Sequence, residues 1–208
     1  MTADVHLLKL PVTDDDWSRG ALGAPVVLVE YADFQCSHCQ AAYPAIERLL
    51  ASFGDRVRFV FRHFPVASIH PQAEQAALAA EAAGRQGKFW EMHRRLFEAR
   101  GALSEGDLLG YVRELGIDTA RFRADMGDPE LHAKVRQQKM LGVRSGVNGT
   151  PTLYLNAARY DGPALSDSSP IASAKGEAEG PSPSAGETEL RDEIERLLRG
   201  REVRGQME

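Results

Sequence analysis

Cysteine is scarce in this chain, with two in 208 residues. That scarcity excludes a disulfide-stapled scaffold and a four-cysteine zinc site. No apolar run approaches the roughly 18 residues that a membrane-spanning helix needs. No block of like charge is present either. Acids and bases are interspersed, and the formal net charge is −5, which argues against a nucleic-acid partner or a membrane-surface patch. The stretch Met1 to His6 lacks a basic n-region and a long apolar core, and His6, Lys9 and Asp14 to Asp16 interrupt it. No secretory signal is read there, so the expected location is cytoplasmic, or extracytoplasmic if a leader precedes the chain.

What is present is ordinary globular composition, 43% hydrophobic and 26% charged, enough for one domain with an insertion. Both cysteines sit in one tetrapeptide, Cys36-Ser37-His38-Cys39. A pair separated by two residues can open and close as a small-loop disulfide, which points to thiol–disulfide exchange. The flanks agree. The β-branched run from Val26 to Tyr31 has the character of a buried central strand. From Cys36 to Phe53 the apolar positions Tyr43, Ile46, Leu49, Leu50 and Phe53 recur at helical spacing, and Gly54 ends the helix. Val57 to Phe61 then alternates as a strand, giving β-α-β with the cysteines at the turn into the helix.

The middle of the chain reads as helical scaffold. Pro71 is expected as a first helical residue, followed by an alanine-rich stretch to Ala83. Lys88 to Arg100 forms another helix, Ser104 and Asp107 a capping box, and Asp118 and Asp128 two more caps. Strand character returns at Thr152 to Leu155. The arm Val5 to Pro11 is a candidate edge strand. Residues 166–188 are rich in Ser, Pro, Gly, Ala and Glu and are expected to be a loose insertion. A final helix over Glu189 to Arg199 carries the stripe Leu190, Ile194, Leu197 and Leu198, with 201–208 as a tail.

Thiolate, not thiol, attacks a disulfide, and a free cysteine has a pKa of about 8.5. Cys36 stands at the helix N-terminus, where unpaired N–H groups favour an anion. The dipole contributes at most ~2 kcal/mol, whereas a drop of about 4 units requires ~5 kcal/mol. Direct hydrogen bonds, from amides or from His38, must supply the difference in that case. The alternative for His38 is a solvent-facing loop residue. Cys39, one turn further in, is the resolving sulfur and Cys36 the attacking one. Glu30, inside an apolar strand, is either an ordinary edge charge or a proton acceptor for Cys39. Pro151, before a strand, is a candidate cis-proline.

The motifs Phe34-Gln35-Cys36-Ser37-His38-Cys39, His70-Pro71, Gln86-Gly87-Lys88-Phe89-Trp90 and Gly146 to Thr152 occur in that order. Together they resemble the DsbA-like branch of the thioredoxin superfamily over about residues 10–162 and the last helix. The resemblance implies an α/β thioredoxin fold with an inserted all-helical domain. Residues 1–63 and 143–200 would make the core and 64–142 the insert. It implies Cys36 as nucleophile, Cys39 as buried partner, His38 as stabiliser of the thiolate and Glu30 as the buried acid. It also implies a cis Pro151 facing the disulfide, with Thr150 before it and Ser37 beside it contacting extended substrate backbone. Ser37 departs from the proline common at its position, and Asn156-Ala157 lacks the glycine of an Asn-Gly hairpin, so a longer loop is expected there.

The expected partners are protein or low-molecular-weight thiols and disulfides plus a redox partner that recycles the pair, with no cofactor, metal, nucleic acid or membrane. Two other classes compete. One is a redox-regulated chaperone or binding protein whose cysteines only switch shape. The other is a metal site on Cys36, Cys39 and His63 or His70, whose histidines lack zinc-ligand spacing. Glutathione-using isomerases share related folds but generally do not need the second cysteine. His63, His93 and His132 are expected to serve structure or solvent, Phe89 and Trp90 the core, and His70-Pro71 a helix start.

Overall fold

A computed structural model describes residues 7–165 and 182–205. Five strands form one mixed sheet in the order β1-β3-β2-β4-β5. They are β1 (Trp17–Arg19), β2 (Val26–Ala32), β3 (Val57–His63), β4 (Thr152–Leu155) and β5 (Ala158–Arg159). β2 runs parallel to β3 and antiparallel to β4, with Glu30 in register with Phe61 on one side and Leu153 on the other. β2 is buried at nearly every position, with apolar clusters on both faces of the sheet, which explains its continuous apolar run. Alternation then divides its side chains. Leu28 and Ala32 enter the main core, whereas Val29 and Tyr31 enter a second, smaller cluster with Val60, Phe64 and Tyr154. Glu30 shares the parity of Leu28 and Ala32 and so faces the main core.

Helix α1 (Ser37–Phe53) connects β2 to β3 and buries Cys39, Ala42, Ala45, Ile46, Leu49 and Phe53 on that face. Between β3 and β4 lie α2 (Ala73–Gly84), α3 (Phe89–Glu98), α4 (Glu105–Glu114), α5 (Thr119–Met126) and α6 (Pro129–Arg144). α2 is buried nearly all round by alanines, and such small side chains permit neighbouring helices to approach on several sides. Glu81 of α2 ties the insert to the sheet. Its carboxylate accepts from Trp17 Nε1 (2.9 Å) and Lys134 Nζ (2.8 Å) and pairs with His63 Nε2 (3.1 Å). The caps expected at Ser104, Asp118 and Asp128 are all present.

Several expectations need correction. Pro71 lies in a turn, and α2 begins two residues later after the N-cap Gln72. The arm's Val5 and His6 lie outside the described residues, and Leu7 makes a single bridge to Ala158. The final helix, α7 (Ala185–Gly205), is longer than its apolar stripe suggested. It starts inside the stretch read as loose, because the Ser184 hydroxyl accepts from Glu187 N–H (3.1 Å) and buried Glu187 pairs with Arg48 (3.1 Å). It also runs through 201–205 of the expected tail. The rest of the low-complexity stretch, 166–181, and residues 206–208 lie outside the described residues.

The β4–β5 hairpin uses a two-residue turn, not a longer loop, since Leu155 pairs with Ala158. Asn156 and Ala157 adopt φ of 47° and 73°, the left-handed pair that such turns require. The Asn156 side chain anchors it by accepting from Val27 N–H at 2.8 Å. Ala157 bears the cost of a left-handed backbone, ~1–2 kcal/mol for an L-residue, against ~0.5–1 kcal/mol for the extra chain entropy of glycine. Ala157→Gly should therefore raise stability by about 0.5–1 kcal/mol, measured by urea denaturation.

Candidate active site

Cys36 is the N-cap of α1, with extended backbone angles and no side-chain capping bond. It is 5% exposed, and Cys39, one turn inward, is 0% exposed. Both are free thiols. The Cys36 thiol is lowered to about 5, chiefly by a hydrogen bond from the Cys39 thiol. Burial opposes this, while the Thr150 side chain and the backbone N–H groups of Cys39 and His38 add donors to the sulfur. In the thiol form Cys36 Sγ donates to the Thr150 carbonyl at 3.4 Å. That contact serves only the protonated sulfur and is outweighed by the donors that hold the anion. The Thr150–Pro151 peptide bond is cis.

Cys39 is pushed the other way. Burial raises its thiol well above the usual range, followed by its bond to Cys36 and the charges of Glu30 and Cys36. One donor opposes, the backbone N–H of Asp33. Glu30 is 2% exposed, and its Oε1 has no hydrogen-bond partner among the described residues. Burial first, and Glu47 second, push its carboxyl up to about 8, with Arg19 opposing. It is therefore a buried acid that holds a proton near neutrality, within electrostatic reach of Cys39.

The structure thus brings together Cys36, Cys39, Thr150 and Pro151, with Glu30 on the same face. His38 and Ser37 are exposed on the first turn of α1. His38 reaches Cys36 through its backbone N–H, and among the described residues no hydrogen bond or ion pair involves its imidazole. Beside Pro151 a cleft of about 310 Å³ is lined by Thr152, Leu153, Arg159, Tyr160 and Pro163.

Sequence reasoning missed the residue that holds the cysteine loop. Asp33 is buried. Its carboxylate accepts from the N–H groups of Gln35 and Val66, each at 2.8 Å, and meets His70 Nδ1 at 2.8 Å. Its carbonyl accepts from Cys36 N–H at 3.1 Å. Gln35 extends the network by accepting from Gln72 N–H at 2.7 Å. His70, read as part of a helix start, is thus a partner of the site. The available signal was the aspartate itself, next to an apolar strand, where a carboxylate needs partners. His63 is committed to Glu81. His93 lies among Phe34, Phe61, Trp90 and Phe97, and burial holds it well below its usual range. Among the described residues no group of three or more His, Cys, Asp and Glu is placed to hold a metal ion.

Two measurements follow from these shifts. The folded protein favours protonated Glu30, so its burial costs nothing below the unfolded value near 4.5 and most above about 8. Glu30→Gln should leave stability unchanged at pH 4 and raise it by about 3–5 kcal/mol above pH 8, as read from urea denaturation of the reduced protein at both pH values. The sign is opposite for Cys36. Its anion stabilises the reduced fold above the unfolded value, and that stabilisation is lost as pH falls through about 5. Alkylation of Cys36 by iodoacetamide should titrate with a midpoint near 5, and Cys39→Ala should move that midpoint upward by more than about 1 unit.

Comparison with known proteins agrees with this geometry. A family model described as Thioredoxin matches residues 13–169. A curated relative, the Na(+)/H(+) antiporter NhaA 1 of Salinispora arenicola, is 44% identical over 156 residues, which is 74% of this chain but 24% of that protein. The chain thus spans about a quarter of the curated relatives it matches, and no described helix is long and apolar enough to cross a membrane. A thioredoxin-like oxidoreductase from Silicibacter pomeroyi superposes with a TM-score of 0.71 at 26% identity, covering 93% of this chain and 96% of that one. DsbA2 of Pseudomonas aeruginosa superposes at 0.58 and 26% identity, covering 71% and 82%. With a thioredoxin sheet, a helical insert between β3 and β4 and paired cysteines at the start of α1, the chain belongs to the DsbA-like branch of the thioredoxin superfamily.

Proposed function

We propose that the chain is a dithiol–disulfide oxidoreductase that works as a disulfide donor. The observation that carries the direction is the lowered Cys36 thiol. A thiolate held by several donors stabilises the reduced form, and a protein whose reduced form is favoured passes its disulfide to others. A substrate thiolate attacks Cys36 Sγ, the Cys36–Cys39 bond breaks, and Cys39 leaves as a thiolate. Glu30 is the proton source for that buried anion. A second substrate thiolate then attacks the substrate sulfur of the mixed disulfide and releases Cys36 as a thiolate. Two substrate thiols become one disulfide, the protein gains two electrons, and a separate redox partner must take them away.

In this reading Thr150, Pro151 and Ser37 contact the substrate beside Cys36, and the cleft that Pro151 lines suits an extended substrate chain. The His38 imidazole, without a hydrogen bond or ion pair among the described residues, is available to a substrate or to the thiolate. Residues 64–142 are the insert in this scheme, and 1–63 with 143–205 the redox core, the last helix being longer than first expected. The cytoplasmic location expected from the N-terminus is replaced by an extracytoplasmic one. A donor near −120 mV stays reduced against a glutathione pool of roughly −220 to −260 mV, and the family's best-known oxidases are exported. The transport activity of the antiporter relatives is not carried over.

Equilibration with graded glutathione buffers tests the reading. The expected potential of the Cys36/Cys39 couple lies at about −120 to −150 mV, and a value near −250 mV or below would reverse the direction. Cys36→Ser should abolish oxidation of a reduced dithiol peptide, and Cys39→Ser should accumulate the mixed disulfide at Cys36. Survival of turnover in Cys36→Ser would leave a shape-switching binding protein as the better account.

A further inference from the structure

Acidic side chains are missing from one long stretch of an otherwise acidic chain. The net charge is −5 and there are 30 aspartates and glutamates, yet none occurs between Glu130 and Asp161. Lys134, Arg136, Lys139, Arg144 and Arg159 lie within that stretch. Neutral residues separate them, so the sequence shows no block of charge. The fold gathers them. Leu131, Val135, Gln138 and Gly142 take the buried side of α6, and residues three and four apart share a helix face. Arg136, Met140, Val143 and Arg144 therefore line the solvent side, with half-buried Lys139 at its margin. Met140 and Val143 are 57% and 58% exposed. Lys134 is bound to Glu81, but the side chains of Arg136, Lys139 and Arg144 have no hydrogen bond or ion pair among the described residues. The helix dipole favours a cation in the last turn. That accounts for Arg144, not for Arg136 or for the absence of acids.

This face continues to the mouth of the cysteine site. Gly146 lies two residues past Arg144, and its carbonyl accepts from Arg159 Nη1 at 2.8 Å. Arg159 lines the same cleft as Pro151. Lys9 adds an exposed cation at this end of α6, where its N–H donates to the Ser145 hydroxyl at 3.0 Å. Asp161 meets Arg159 Nε at 2.9 Å and offsets that one charge, while being 68% exposed itself. Resting on the disulfide-exchange reading above, we propose that the α6 face and the Arg159 cleft select substrates whose cysteines are flanked by acidic residues. A carboxylate-rich chain is repelled by the protein's net charge at long range. Within a Debye length, about 8 Å at physiological salt, the nearby unpaired cations decide. They raise the rate of productive encounter and leave the sulfur chemistry as it is. Met140 and Val143 give the same chain apolar contact between the charges.

Reduced dithiol peptides that share one core and differ in their flanks, glutamate, glutamine or lysine, test this selection. In each turnover the peptide's two thiols form one disulfide, the Cys36–Cys39 bond breaks, and two electrons and two protons pass to the protein. Second-order rate constants are measured for the oxidised wild-type protein and for the combined variant Arg136→Gln, Lys139→Gln and Arg144→Gln. Their ratio for each peptide cancels the effect of the flanks on the peptide's own thiols. The wild-type to variant ratio should be about tenfold for the glutamate peptide, within about twofold of one for the glutamine peptide, and below one for the lysine peptide. Raising the ionic strength from about 0.01 M to about 1 M, which shortens the Debye length from about 30 Å to about 3 Å, should bring the glutamate ratio toward one. A variant with a damaged fold would slow the glutamine peptide as well. Equal ratios for the glutamate and glutamine peptides, or a glutamate ratio that ignores salt, would overturn the selection. If the wild-type protein oxidises none of the peptides, the exchange reading itself falls.

Discussion

Everything distinctive about this site depends on one helical turn of difference in solvation. Cys36 sits where α1 begins, so amides that have no partner inside the helix converge on its sulfur. Cys39 is three residues on, against the sheet, where almost every influence disfavours an anion. The same hydrogen bond serves both ends of this asymmetry: the Cys39 thiol donates, which stabilises the Cys36 thiolate and keeps its own proton. The helix dipole is a minor contributor by magnitude. Direct donors do most of the work: the Cys39 thiol and the His38 and Cys39 amides come from α1 itself, and Thr150 adds one from the facing loop.

The sheet is arranged to maintain that difference. β2 is the central strand, and its alternation sends Glu30 toward the same core that encloses Cys39. A buried carboxyl with an unpaired oxygen is expensive, and the fold tolerates it by keeping the group protonated. The cost is confined to a position where a transferable proton is useful. Glu81 shows the contrasting solution. It is equally buried, and burial alone would raise its carboxyl, but His63 and Lys134 beside it hold it below the usual range, so it remains charged and joins α2 to the sheet.

Local features were legible in the sequence because local chemistry decides them. The strand around Val26, the helix after Cys36 and the caps at Ser104, Asp118 and Asp128 are written in neighbouring residues. The thiol pair and Pro151 became legible together through motif order. What escaped depends on partners far away in sequence. β1 is three residues with no alternation, and it exists because it pairs with β3 and because Trp17 stacks on Phe89 and donates to Glu81. The early start of α7 depends on Arg48, 139 residues from Glu187. The Asp33–His70 contact spans 37 residues, and no spacing rule relates the two. The left-handed Ala157 is accepted because sheet register requires a two-residue turn there.

The join between the redox core and α7 has a practical side. The Leu165 carbonyl accepts a hydrogen bond from the Ser184 hydroxyl at 3.1 Å, and the Gly186 backbone lies so close to Ala164 that an added Cβ would meet its carbonyl oxygen at 2.2 Å. The two ends of the chain that flank residues 166–181 are therefore clamped together independently of what connects them. Closing a connection between fixed ends costs only about 0.6 kcal/mol for each doubling of its length. By the same reasoning a longer connection there, carrying a reporter or a purification tag, should leave the clamp between Leu165 and Ser184 intact.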